Sequence, residues 1–130
     1  MGLSKIYMAG SGGMLGEAFY EKFKLSHKIK CTDIDVNEDW LSYLDFREFE
    51  KYEKDVNEFN PNWLFHIGAY TDLEYCENNE EDTYDTNTRS VKNAVKIANR
   101  LSIPLLYIST AGIFDGEKEV YDESDIPNPM

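Results

Sequence analysis

The sequence predicts an α/β fold, a doubly wound parallel sheet with helices on both faces, and three observations predict it. Short apolar runs alternate with amphipathic stretches along the whole chain, the pattern of strands joined by helical crossovers. Three glycines, Gly10, Gly13 and Gly16, follow the first apolar run at intervals of three. An acidic residue, Asp33, closes the second apolar run. Crossovers between parallel strands are right-handed, so such a chain winds helices onto both faces and leaves its ligand site at the carboxyl ends of the strands.

Each element has its own signal. Lys5 to Ala9 is a short apolar run and reads as the first strand. Met14 to Lys24 reads as a helix with Leu15, Ala18, Phe19 and Phe23 on one face. Lys28 to Asp33 reads as the second strand, and Ser42 to Leu44 as a short third. Phe49, Tyr52, Val56 and Phe59 recur at helical spacing and stop at Asn60-Pro61, where proline forbids continuation. Trp63 to Ile67 is a buried-strand candidate, and Thr71-Asp72-Leu73-Glu74 fits a capping box opening a short helix. A longer helix is expected from about residue 80 to 100, with Val91, Ala94, Val95 and Ala98 as its stripe; Pro104 to Ser109 is the last strand.

Composition sets the outer bounds. The chain has 130 residues, enough for one domain with a core of its own, and is 42% hydrophobic and 29% charged. Its net charge is −12, from 13 basic and 25 acidic residues. That balance argues against nucleic acid and anionic membranes as partners, because both demand clustered Lys and Arg. The acidic runs at 33–39, 77–85 and 115–125 read as solvated loops and helix starts. No apolar run approaches the ~20 residues of a membrane span. The start of the chain enters an apolar strand too soon for a secretory leader. Cys31 and Cys76 have no metal or redox spacing, so two reduced thiols, no metal site and a cytoplasmic location are expected.

The glycine loop carries the first chemistry. In Ala9-Gly10-Ser11-Gly12-Gly13-Met14-Leu15-Gly16 one glycine permits a tight turn, one lets backbone approach a diphosphate, and one lets the helix touch the strand. The helix start adds unpaired N–H groups and a favourable dipole. A carboxylate at Asp33 can accept hydrogen bonds from both ribose hydroxyls of an adenosine and would repel a 2′-phosphate. No Lys or Arg lies between Cys31 and Asp45, so NAD is favoured over NADP; Asp35 competes for the same role. His66 falls on a buried strand and reads as a hydrogen-bonded core histidine, and His27 lies in a surface turn. Asn87, three after Tyr84 and four before Val91, puts an amide on a buried stripe, where it needs partners.

These residues together resemble the extended short-chain dehydrogenase/reductase family, a Rossmann-type group, and within it the dTDP-4-dehydrorhamnose reductase branch. The glycine spacing is that family's form. Asp45-Phe46, His66-Ile67-Gly68-Ala69, the stretch from Ala69 to Glu77, Asn87, Ser109-Thr110 through Gly116, and Asp122-Glu123 with Pro127-Asn128-Pro129 follow in the family's order. The resemblance implies a cofactor site of Gly10, Gly13, Met14, Leu15 and Gly16 around the diphosphate, Asp33 and Ile34 at the ribose, Asp45 and Phe46 flanking the adenine, and Gly68, Ala69, Tyr70 and Thr71 along the cofactor's path. It implies Thr110 as the catalytic hydroxyl, a nucleotide sugar as substrate, and it admits a homodimer.

Two departures qualify the resemblance. Ala111-Gly112 stands where the reductase branch has Asp-Tyr after the catalytic Thr, which leaves room for an epimerase or dehydratase. The family's Tyr-x-x-x-Lys is expected just beyond Met130; the only such spacing here, Tyr20 and Lys24, reads as a surface pair. The expectation is therefore an NAD(P)-binding Rossmann domain over 1–130, without the substrate-binding part and inactive alone, of an NAD(P)-dependent enzyme of nucleotide-sugar metabolism. Two other readings stand beside it. One is a non-catalytic partner, like the regulatory subunit of methionine adenosyltransferase, which is similar to the same branch. The other is a flavodoxin-like or different nucleotide-binding domain, against which Asp33 and the Ser109-Thr110 segment speak.

Overall fold

The computed structural model describes residues 2–130; Met1 lies outside the described residues. Five parallel strands form one sheet: β1 (Lys5–Ala9), β2 (Lys28–Asp33), β3 (Leu41–Tyr43), β4 (Trp63–His66) and β5 (Leu105–Tyr107), in the order β3-β2-β1-β4-β5. The chain runs outward from β1 through β2 to β3, then returns across β1 to build β4 and β5. Strand order thus reverses between β1 and β4, and in open α/β sheets such a switch point opens the ligand crevice.

The helices divide between the faces as a doubly wound sheet requires. Helix α1 (Met14–Phe23) brings Phe19, Tyr20 and Phe23 onto Ile6, Met8, Cys31 and Phe65. Helices α2 (Phe49–Phe59) and α5 (Ser90–Leu101) cover the other face, where Tyr52, Val56, Ala94, Ile97 and Ala98 pack on Tyr7, Ala9 and Leu64. Alternate residues of β1 supply the two cores, as the two-residue period of a strand dictates. Helix α2 ends at Asn60, which takes the left-handed conformation (φ 53°) ahead of Pro61.

Several expectations need correction. Leu15 and Ala18 of α1 are exposed, and Tyr20 joins the buried side instead, stacked 4.5 Å from Trp40. The short third strand is Leu41–Tyr43, one residue earlier than expected. Asp72, not Thr71, caps α3 (Leu73–Asn78), accepting the Tyr75 N–H at 2.9 Å. The long helix is broken into α4 (Glu80–Tyr84), a π-turn over Asp85–Arg89, and α5. A π-turn spends an extra residue and rotates the face that follows. Val95 accordingly turns outward, and Ser90, Ala94, Ile97 and Ala98 form the buried stripe. Strand β4 ends at His66, one residue short, and β5 spans only Leu105–Tyr107. The β4–β5 ladder ends at the His66–Tyr107 pair, which leaves Ile108 and Ser109 outside the sheet.

Candidate cofactor site

A cleft of ≈ 370 Å³ opens at the carboxyl ends of β1 and β4. It gathers most residues singled out in the sequence: Gly10, Gly13, Met14 and Leu15 of the glycine loop, Asp33 and Ile34 after β2, Asp45 and Phe46 after β3, and Gly68, Ala69, Tyr70 and Thr71 after β4. Leu44, Arg47, Ile67 and Thr86 also line it and were not foreseen. Leu44, Arg47 and Ile67 flank motif residues and could have been inferred by adjacency. Thr86 carries no such signal beyond standing next to Asn87.

The glycines divide their tasks along physical lines. Gly10 has φ +75°, and a Cβ there would lie 2.3 Å from the Gly68 Cα, so the chain ends of β1 and β4 touch. Gly16 does not line the cleft. It is buried beneath the loop, where a Cβ would fall 2.0 Å from the Ser11 carbonyl oxygen. Gly13 faces open space, with nothing within 4 Å of a Cβ position, and is the N-cap of α1. Three loop amides are already engaged: Gly10 and Ser11 donate to the Thr32 carbonyl at 2.9 and 3.0 Å, and Gly12 donates to Asp33 Oδ2 at 2.9 Å. The first-turn amides of α1 have no acceptor within the helix, which leaves those of Met14 and Leu15 for an anion.

Asp33 has a structural task as well as an exposed carboxylate. It accepts Gly12 N–H on one oxygen and Asp35 N–H at 3.0 Å on the other. A carboxylate offers about four lone-pair sites, so capacity for hydroxyl donors remains. Among the described residues lining the cleft, Arg47 is the one cation. It grips Asp45 through Nε and Nη2, at 2.9 and 2.8 Å, and reaches Asp82 through Nη1 at 2.6 Å. Asp82 also accepts the Tyr75 hydroxyl at 2.7 Å, which ties the α3–α4 segment to the rim of the cleft. The guanidinium holds the Asp45 carboxyl below the usual range, and the Tyr75 hydroxyl does the same for Asp82.

Behind the cleft lies a buried polar relay. His66 has no exposed surface; its Nδ1 meets the Tyr52 hydroxyl and its Nε2 the Ser90 hydroxyl, both at 2.9 Å. Ser90 gives its own proton to the Thr86 carbonyl, so it accepts from Nε2–H, and Tyr52 donates to Nδ1. Burial pulls the His66 pKa down to about 4, so the ring is neutral and structural. Asn87 does what its position demanded: its amide takes the Tyr70 N–H at 2.8 Å and donates to the Tyr70 carbonyl at 3.0 Å, clamping the wall of the cleft.

Thr110 stands apart from the cleft. It is exposed and caps the turn Ala111–Ile113, its Oγ1 accepting the Gly112 N–H at 3.1 Å. The segment beyond folds back on itself through Tyr121 stacked on Phe114 and the Asn128 N–H on the Ile113 carbonyl at 2.8 Å. Tyr20 lies on α1 and Lys24 is its C-cap, paired to Glu21 at 2.7 Å.

Comparison with known proteins identifies a family and relatives of the same fold. A family model described as the RmlD substrate binding domain matches residues 4–130. A dTDP-4-dehydrorhamnose reductase of Aggregatibacter actinomycetemcomitans is 28% identical over 98% of this chain and 42% of its own length. Methionine adenosyltransferase 2 subunit beta of Bos taurus is 26% identical over 97% of this chain and 38% of its own. The chain therefore spans about two-fifths of the curated relatives it matches. Among solved structures, dTDP-4-dehydrorhamnose reductase of Bacillus anthracis in complex with NADP superposes with a TM-score of 0.87 at 25% identity, covering 99% of this chain and 44% of that one. A hypothetical dTDP-4-dehydrorhamnose reductase of Sulfolobus tokodaii gives 0.86 at 28%, covering 98% and 46%.

Proposed function

The chain belongs to the RmlD substrate binding domain family, and from that premise we propose that it is the dinucleotide-binding part of an NAD(P)-dependent oxidoreductase acting on a nucleotide sugar. The observation that carries the reading is the glycine loop at the switch point. Gly13 leaves a bare approach to the amides of Met14 and Leu15, and Asp33 stands beside it with free lone pairs. That donor set suits a diphosphate followed by a ribose. When bound, the nicotinamide supplies hydride exchange with a sugar carbon. The chain's own part is to hold and orient the cofactor: α1 stabilises the diphosphate through its dipole, Asp33 accepts the ribose hydroxyls, and Gly10 and Gly68 keep the cleft free of side chains. Thr110 is the group proposed to hydrogen-bond the oxygen of the reacting carbon.

NAD is proposed over NADP. A 2′-phosphate would meet the Asp33 carboxylate, and Arg47, the cation at the rim, is already neutralised by Asp45 and Asp82. The Bacillus anthracis relative was solved with NADP, so the preference is a property of these side chains rather than of the fold. Titration of the chain with NADH and NADPH, followed by nicotinamide fluorescence, tests both statements. Saturable NADH binding at least several-fold tighter than NADPH is the expected result. An intact fold that binds neither would remove the cofactor assignment, and equal affinities would remove the preference alone.

A second reading has one observation in its favour. The Thr110 hydroxyl is spent on its own turn, and relatives named as a methionine adenosyltransferase subunit match nearly the whole chain. A non-catalytic partner that binds the dinucleotide would fit, and co-purification with a larger enzyme would distinguish it.

A further inference from the structure

The two edges of the sheet are built differently. Edge strands present unpaired N–H and C=O groups that invite another strand, and proteins blunt them with charge or cover. The β3 edge is guarded: Glu38 and Asp39 precede the strand, and Asp45 and Arg47 follow it. The β5 edge is not. No Asp, Glu, Lys or Arg stands anywhere in 101–114, or in 61–71 around the neighbouring β4, although the chain is 29% charged. Even the inner strands β1 and β2 carry Lys5, Lys28 and Lys30. Apolar side chains are open to solvent at this edge, Tyr107 and Ile108 among them. Helix α5, which packs on β4 and β5, continues the pattern. Its Asn93, Lys96 and Arg100 turn toward α2, reaching the Phe46 carbonyl, the Phe49 ring and Glu53. At 3.6 residues per turn Val91 and Val95 fall on the opposite flank, above the β5 edge. Val95, patterned in the sequence as a core residue, is 44% exposed there.

A second copy of this chain fits that surface. Leu64 N–H donates to the Pro104 carbonyl, so residues 104 and 106 turn their backbone groups to β4, and Leu105 and Tyr107 turn theirs outward. About a twofold axis at Tyr107, an antiparallel pair joins Tyr107 to its own counterpart through both N–H and C=O groups, and each copy complements the other. Strands paired across that axis lie about 4.8 Å apart. Each α5 sits over its own β4 and β5, so the two helices come about 10 Å apart, the distance at which helices pack. Val91 and Val95 fill that contact. Two bodies of charge −12 repel each other, and the uncharged β5 edge is where they approach at least cost. We infer that the β5 edge is an interface between two copies of this chain, in which β5 pairs antiparallel with its counterpart and the α5 flanks pack through Val91 and Val95.

Sedimentation of the chain over a range of concentrations, with hydrogen exchange at the Leu105 and Tyr107 amides, tests this. The expected result is a closed dimer of twice the mass of one chain, with exchange at those amides slowed roughly tenfold or more as the copies associate. Val95→Glu and Val95→Lys each place like charges at the axis, and each should weaken the dimer roughly tenfold or more. Mixed in equal parts, the two variants should recover a dimer, which misfolded proteins could not do. Val36→Glu changes a valine of similar exposure, 47%, on the far side of the sheet and should leave the dimer as it is. A wild-type chain that stays monomeric, a dimer indifferent to both Val95 variants, or growth without limit beyond two copies overturns the inference. None of these outcomes touches the cofactor reading.

Discussion

Gly13 and Gly16 are three residues apart and opposite in what they tolerate. At Gly13 the backbone has φ −94° and open space where a Cβ would stand, so alanine fits without strain. Such a change costs only a few tenths of a kcal/mol as a helix cap, and loss of glycine's freedom in the unfolded chain offsets that. The added methyl would nonetheless occupy the approach to the first-turn amides. Gly16→Ala drives a methyl to 2.0 Å from the Ser11 carbonyl oxygen, where the loop must move. The expected contrast is a Gly13→Ala protein that melts as wild type but binds NADH at least tenfold more weakly, beside a Gly16→Ala protein destabilised by about 2 kcal/mol or more, in the range of overpacked sites. Calorimetric titration and thermal unfolding of the two variants check it. At this scale much was legible: a glycine announces a place where a side chain cannot go. Which neighbour forbids it was not, because Ser11 and Gly68 approach only after the strands have paired. Arg47 could be inferred from its place beside Asp45, but its bond to Asp82, thirty-five residues away, could not.

Elements were legible wherever period and terminators agreed, and misread where a side chain's role depended on another element. Helix α2 is an example of the first: its four apolar residues and Asn60-Pro61 fixed face and end together. The stretch from residue 80 to 101 shows the second. Its helical content was evident, but the π-turn was not, and the predicted stripe included the exposed Val95 and missed the buried Ser90 and Ile97. No local propensity announces that turn. It is held from outside, by Asn87 on both polar groups of Tyr70 and by Ser90 between His66 and the Thr86 carbonyl. Asn87→Ala would leave the Tyr70 N–H and carbonyl without their partners. Because Tyr70 lies at the edge of the cleft, where water can reach, the cost is expected to be local, about 1–2 kcal/mol. Hydrogen exchange at Tyr70 and its neighbours should accelerate roughly tenfold, with α1 and β2 unchanged; acceleration spread over the whole chain would instead mean that Asn87 supports the global fold.

For the molecule as a whole, the alternation of apolar runs was enough to place a parallel sheet, and the switch point between β1 and β4 follows from the order in which the chain lays its strands. The buried relay at that point was only half visible: His66 read as a core residue, yet its partners come from α2 and α5 and stand on no shared motif. The relay ties both helices of one face to the sheet, so its protonation should be felt globally. Burial lowers the His66 pKa from 6.5 to about 4 in the folded chain. Between those values the unfolded chain takes up a proton that the folded chain refuses. Its contribution to stability is therefore fully present above about pH 6.5 and is lost as pH falls toward 4, at up to ~1.4 kcal/mol per pH unit and about 3 kcal/mol in all. The net charge of −12 works the other way, since protonating carboxylates relieves self-repulsion, so the difference between two proteins is the clean observable. His66→Gln keeps a donor and an acceptor but does not titrate. Denaturant unfolding from pH 7 to 4 should show wild type losing more stability than His66→Gln, with the two curves converging as pH falls. Parallel curves would mean that His66 takes up a proton as readily in the folded chain as in the unfolded one, and that the relay is not sealed from water.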